Sequence, residues 1–107
     1  MPCEVYPLDR LWKMSLNKAS EIFKNESIQI GILTLAPKTR LPEAGFSIHE
    51  EFHEFAYIVE GEVTFVSESK KIHLKKGDFM YNEPGTPHYT ENISDTPAKI
   101  LWFLVPK

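Results

Sequence analysis

No stretch of this chain sustains a helical hydrophobic period between capping residues; short runs rich in Val, Ile, Thr, Tyr and Phe recur instead between Gly, Pro, Asn and Ser. A chain with that rhythm cannot bury itself as a helix bundle and has to close sheets on one another. The runs predict seven strands, over 27–35, 54–59, 62–66, 71–74, 78–82, 88–92 and 98–105. Glu60-Gly61, Ser67-Glu68-Ser69 and Lys75-Lys76-Gly77-Asp78 each fall between apolar stretches and read as hairpin connections. Residues 15–24 suit a helical turn or two, and 37–42 an irregular loop. The expected class is all-β, a single barrel or sandwich.

The 107 residues allow one domain, 1–107, with one core, and leave 1–26 as an N-terminal arm or extra strand. A net charge of −3 comes from interspersed signs, and Lys70-Lys71 with Lys75-Lys76 is the densest basic grouping, so no nucleic-acid partner is expected. The apolar run 100–105 is far short of the roughly 20 residues a spanning helix needs, so it reads as a buried strand with no membrane role. Met1-Pro2-Cys3-Glu4-Val5 has neither the basic nor the apolar region of a secretory leader, and the lone Cys3 has no internal partner. Both point to a cytoplasmic protein in which Cys3 has no role. Val5, Tyr6, Leu8, Leu11 and Trp12 give the arm more apolar weight than a short arm requires, which predicts that it packs across a partner in a homodimer.

Two segments carry the chemistry. In Ser47 to Gly61, His49 precedes Glu54 by a four-residue gap and Glu54 precedes Gly61 by six; in Gly77 to Asn92, the order is Gly77, Gly85, His88, Asn92. These segments resemble the two motifs of the cupin family. The first family motif runs glycine, five residues, His-x-His, three or four residues, Glu, six residues, glycine; Ser47 stands where its first histidine belongs and Leu41 where its first glycine belongs. The second runs glycine, five residues, Pro-x-Gly-x-x-His, three residues, Asn, and only Glu83 departs from it. The resemblance implies a jelly-roll barrel, the double-stranded β-helix, whose mouth holds a divalent metal (iron, manganese, nickel or zinc) and a small molecule.

His49, Glu54 and His88 are the metal candidates, since two imidazoles and a carboxylate can hold one side of a divalent ion and leave positions open for water or ligand. Strand alternation puts Ser47 and His49 on one face, with Glu54 inward and His53 outward. The extra residue before Glu54 also permits the reverse, in which His53 replaces the missing histidine. Ser47 and His53 are therefore either further ligands or groups behind the ligands. Arg40, Tyr57 and Tyr89 are the candidates for contacting a bound molecule, Arg40 as a clamp for a carboxylate or phosphate. Of the remaining aromatics, Phe79, Tyr81, Trp102 and Phe103 could wall the pocket. His73, out of phase with Ile72 and Leu74, should face solvent. Two functions fit: a metal-dependent enzyme of isomerase, dioxygenase, decarboxylase or lyase type, and a non-catalytic ligand-binding or sensing barrel with a degenerate metal site.

Overall fold

The computed structural model describes residues 3–107, so the part of the leader argument that rests on Met1 and Pro2 lies outside the described residues. Those residues form nine strands: β1 Ser20–Lys24, β2 Gln29–Leu35, β3 Thr39–Leu41, β4 Phe52–Glu60, β5 Glu62–Ser67, β6 Lys71–Lys75, β7 Phe79–Asn82, β8 His88–Asn92 and β9 Ala98–Pro106. They make two antiparallel sheets, β1-β2-β9-β4-β7 and β3-β8-β5-β6, the two layers of a jelly-roll barrel.

The seven expected strands are present with shifted ends, and two more correct the reading. Residues 20–24 pair with β2 through a bulge between Glu21 and Phe23, so the available edge of β2 overrides any local helical tendency. The helical turns lie earlier, in α1 (Leu8–Leu11) and a 3₁₀ turn over Trp12–Ser15, started where the Pro7 carbonyl accepts the Arg10 and Leu11 amides. Residues 39–41, expected in a loop, continue the smaller sheet as β3 beside β8.

Alternation places Leu33, Leu35, Ala56, Ile58, Val63, Phe65, Leu74, Ala98 and Ile100 between the sheets, where they form the core. On the outward phase of β2, Ile32 is only 1% exposed because the turn Trp12–Ser15 lies over it. Trp12 is buried there, its carbonyl accepting from the Ser15 and Thr34 hydroxyls at 2.8 and 3.2 Å, with the Lys99 ammonium 5.7 Å from its ring centre. The arm thus uses Trp12 and Ser15 on its own sheet, and Val5, Met14 and Leu16 remain exposed.

Two motif residues hold the frame rather than the site. Gly61 takes φ +78° in the β4–β5 turn, where a Cβ would lie 2.6 Å from the Pro97 carbonyl oxygen. Asn92 is fully buried and donates to the carbonyls of Leu35 (3.0 Å) and Thr96 (2.7 Å), tying the end of β8 to the other sheet.

Candidate metal centre

Three different elements bring the site together. Glu54 opens the inward phase of β4, His88 begins β8, and His49 comes from the segment before β4. That segment is held from both sides. Ser47 exchanges both backbone hydrogen bonds with His88 (2.7 and 2.9 Å), and the His49 carbonyl accepts from the Gly85 amide at 3.0 Å. The second motif's turn therefore grips the first motif's histidine. One ligand atom from each of His49, Glu54 and His88 lies within 4.8 Å of the others.

The hydrogen bonding of His88 decides what this cluster can bind. Its Nδ1 lies 3.0 Å from the Thr86 carbonyl oxygen, which can only accept, and 3.3 Å from the Asn82 side-chain amide; the nearer carbonyl favours the proton on Nδ1. Nε2 then turns a lone pair toward Glu54 Oε1, 3.3 Å away, with both side chains largely buried. Two lone pairs at that distance repel unless a proton or a metal ion stands between them, and a divalent ion with ligand bonds of about 2.1 Å spans such an edge. The donor set therefore fits a metal. Imidazole and carboxylate suit iron, manganese, nickel and zinc alike, and three ligands on one side leave coordination positions open.

Asn82, paired in register with Glu54 and buried, reaches the Glu54 carboxylate from behind at 3.5 Å. Phe65 stacks on the His88 ring at 4.9 Å between centroids and fixes its plane. Neither residue is evident from the motif spacing, although Asn82 shares the inward phase of Met80.

The three candidate ligands stand at the polar end of a cavity of about 170 Å³ between the sheets. Ser47 and Thr90 add hydroxyls there, while Leu33, Ala56, Met80, Ile100 and Trp102 make the body apolar. Trp102 occupies a slot left by Gly31, where a Cβ would fall 1.9 Å from the indole. Its indole N–H is buried and has no acceptor.

The other sequence candidates lie elsewhere. His53 points to the outer face, 2.6 Å from the Tyr81 hydroxyl, so it does not stand in for the missing histidine; strand phase separates it from Glu54. Tyr57 alternates with buried Ala56 and Ile58 and is exposed. Arg40 and Tyr89 meet on the outer face of the smaller sheet, the guanidinium 3.6 Å from the ring centre, and neither lines the cavity. Of the aromatics expected to wall the pocket, Trp102 does; Phe79 and Tyr81 are exposed, and Phe103 shares the outward phase of Phe55. His73 faces outward and pairs with Glu62 at 3.4 Å.

With this geometry in view, the family model for the cupin domain matches residues 31–104. The chain belongs to the cupin family. This cupin is 37% identical over 76 residues to an uncharacterised protein of Methanocaldococcus jannaschii, a match covering 71% of the chain and 57% of that relative. It is 30% identical over 74 residues to an oxalate-binding protein of Thermotoga maritima, covering 66% of the chain and 61% of that relative. Each match thus spans about three-fifths of the relative's own length. A solved structure from Thermus thermophilus superposes with a TM-score of 0.80 at 26% identity, over 97% of this chain and 98% of that one. Among the described residues no helix is long and apolar enough to cross a membrane.

Proposed function

We propose that this cupin binds one divalent metal ion through His49, Glu54 and His88 and uses it to hold a small molecule in the cavity between the sheets. The observation that carries the reading is the 3.3 Å approach of His88 Nε2 to Glu54 Oε1, with Nδ1 turned to the Thr86 carbonyl at 3.0 Å. The name of the oxalate-binding relative supports ligand capture as the role. The cavity lining supports it too. With the three titratable groups on the metal, Ser47 and Thr90 are the remaining protic side chains beside the indole, and neither is a base suited to isomerase or lyase chemistry. A second reading, an enzyme whose metal itself carries the reaction, rests on the open coordination positions. We further propose that the protein is a homodimer.

The test is metal content by mass spectrometry on protein purified without a metal-binding tag, beside the His88→Ala variant. About one equivalent in the parent, lost in a variant that keeps its thermal transition, is the expected result. No metal in the parent after exposure to Fe(II), Mn(II), Ni(II) and Zn(II) rejects the reading.

A further inference from the structure

The cavity holds a charge count that constrains what enters it. Its lining includes no lysine and no arginine, and Glu54 is the one carboxylate. With both imidazoles neutral, a divalent ion on His49, Glu54 and His88 leaves a net charge of +1. One anionic group brings the site to neutrality; a second, even when it shares the metal, leaves a buried net charge of −1 with no further cation to answer it. Arg40, the cation a carboxylate ligand would otherwise recruit, is turned to the outer face and engaged with the Pro42 and Gly45 carbonyls.

The second constraint is the unpartnered indole. Along β9 the inward residues run Leu104, Trp102, Ile100; Leu104 pairs with Glu54 and Trp102 with Ala56. Trp102 therefore sits one inward step below the metal ligands, about 7 Å along the strand. Buried donors without partners are rare, and this one belongs to a side chain that lines the cavity. The third constraint is size. A volume of about 170 Å³ compares with the roughly 150 Å³ apolar cavity that admits benzene, so a body of about six heavy atoms fits.

Resting on the metal-binding reading above, we propose that the ligand of this cavity is a small monoanion with a compact apolar body, its anionic group on the metal and an acceptor atom at the Trp102 indole N–H. Oxalate matches the size but not the charge. The apolar floor formed by Leu33, Ala56, Met80 and Ile100 suits an alkyl chain and disfavours a second carboxylate.

The experiment uses the full chain loaded with Zn(II), with metal uptake measured first by calorimetry. Isobutyrate and oxalate, both of six heavy atoms, are then titrated into the loaded protein, followed by 4-oxopentanoate and pentanoate. The expected result is isobutyrate binding at least tenfold more tightly than oxalate. The ketone of 4-oxopentanoate should add a two- to tenfold gain over pentanoate, the worth of one hydrogen bond, and that gain should vanish in Trp102→Phe. Metal uptake with oxalate bound as tightly as isobutyrate or more so overturns the proposal alone. Absence of metal uptake overturns it together with the reading beneath it, since the charge count needs the ion. A ketone gain that survives in Trp102→Phe removes the indole from the ligand's contacts and overturns the assignment of the acceptor. The comparison of isobutyrate with oxalate on the unsubstituted chain decides the charge preference even if that variant does not fold.

Discussion

At the position of Gly31 the only side chain that fits is none. A methyl there would stand 1.9 Å from the Trp102 indole, well inside contact distance, so Gly31→Ala forces the indole out of its slot and disturbs the cavity wall. The expected loss of stability is about 1–3 kcal/mol, and part of it should return in Gly31→Ala combined with Trp102→Leu, because the two residues share one space. Urea unfolding of the two single variants and the double variant measures this; strictly additive losses would mean the clash is relieved elsewhere. Sequence reading names Trp102 among the aromatics that could wall the pocket but finds neither Gly31 nor the slot it leaves. The strand pattern gives each its phase but not the register that sets Gly31 opposite Trp102. The candidate metal group is different. His49, Glu54 and His88 are legible because motif spacing fixes both strand phase and the turns that carry them. Tyr57, Tyr89 and Arg40 are misread as pocket groups for the opposite reason. Residue type suggests ligand contact, but Tyr57 alternates outward on β4 and Arg40 and Tyr89 face the outside of the smaller sheet.

Among the elements, the excursion from Pro42 to Phe46 is the least obvious from sequence and the most consequential for the site. β3 pairs with β8 as far as Leu41 and Thr90, the chain leaves the sheet, and it rejoins at Ser47 opposite His88. Arg40 braces the departure, with Nε donating to the Pro42 carbonyl at 2.8 Å, the guanidinium donating to the Gly45 carbonyl and its plane resting on Tyr89. Arg40→Ala should leave the barrel folded but weaken metal affinity roughly tenfold through a less ordered His49, as expected for a group that orients a ligand. Arg40→Lys should not restore it, since an ammonium cannot make the forked contact and the stack together. Competition with a chelating dye reads both, and unchanged affinity would separate the brace from the site. The β6–β7 turn offers a pH prediction. The Lys75 amide donates to Asp78 Oδ2 at 2.8 Å; this bond and the nearby Lys75 charge hold the carboxyl below its ordinary value, against a smaller opposing effect of burial. A lowered folded-state pKa stabilises above the unfolded value and is lost as pH falls through the folded one. Asp78→Asn should therefore lower stability at neutral pH, where the carboxylate's contribution is fully present, and flatten the decline on the acid side of the ordinary aspartate value. Thermal unfolding from pH 5 to pH 2 measures the difference.

For the whole molecule, the outer face of the five-stranded sheet is divided in two. Over β2 it is covered by Trp12–Ser15, while over β4, β7 and β9 the aromatics Phe55, Phe79, Tyr81 and Phe103 pack on one another beside the exposed Tyr57, with Phe79 61% and Tyr81 49% exposed. A patch three strands wide is too small to supply the roughly 800 Å² per partner of a stable interface. The exposed Val5, Met14 and Leu16 of the adjoining arm enlarge it on the same side of the sheet. A twofold arrangement that lays each arm on the partner's aromatic half joins two apolar surfaces that are each incomplete, and it is isologous, as closed dimers are. The proposed metal ligands are on the inner face, so association and metal binding are separable. Phe79→Glu places a charge in the centre of the aromatic half without touching the cavity. The expected outcome is a dimeric mass by light scattering for the parent, a monomeric mass for Phe79→Glu, and the same metal content in both. Met14→Glu, on the arm, should give the same dissociation if the two halves meet reciprocally. A parent that is monomeric at tens of micromolar removes the dimer and leaves the aromatic face without its partner, while a Phe79→Glu variant that stays dimeric moves the interface to another surface of the barrel.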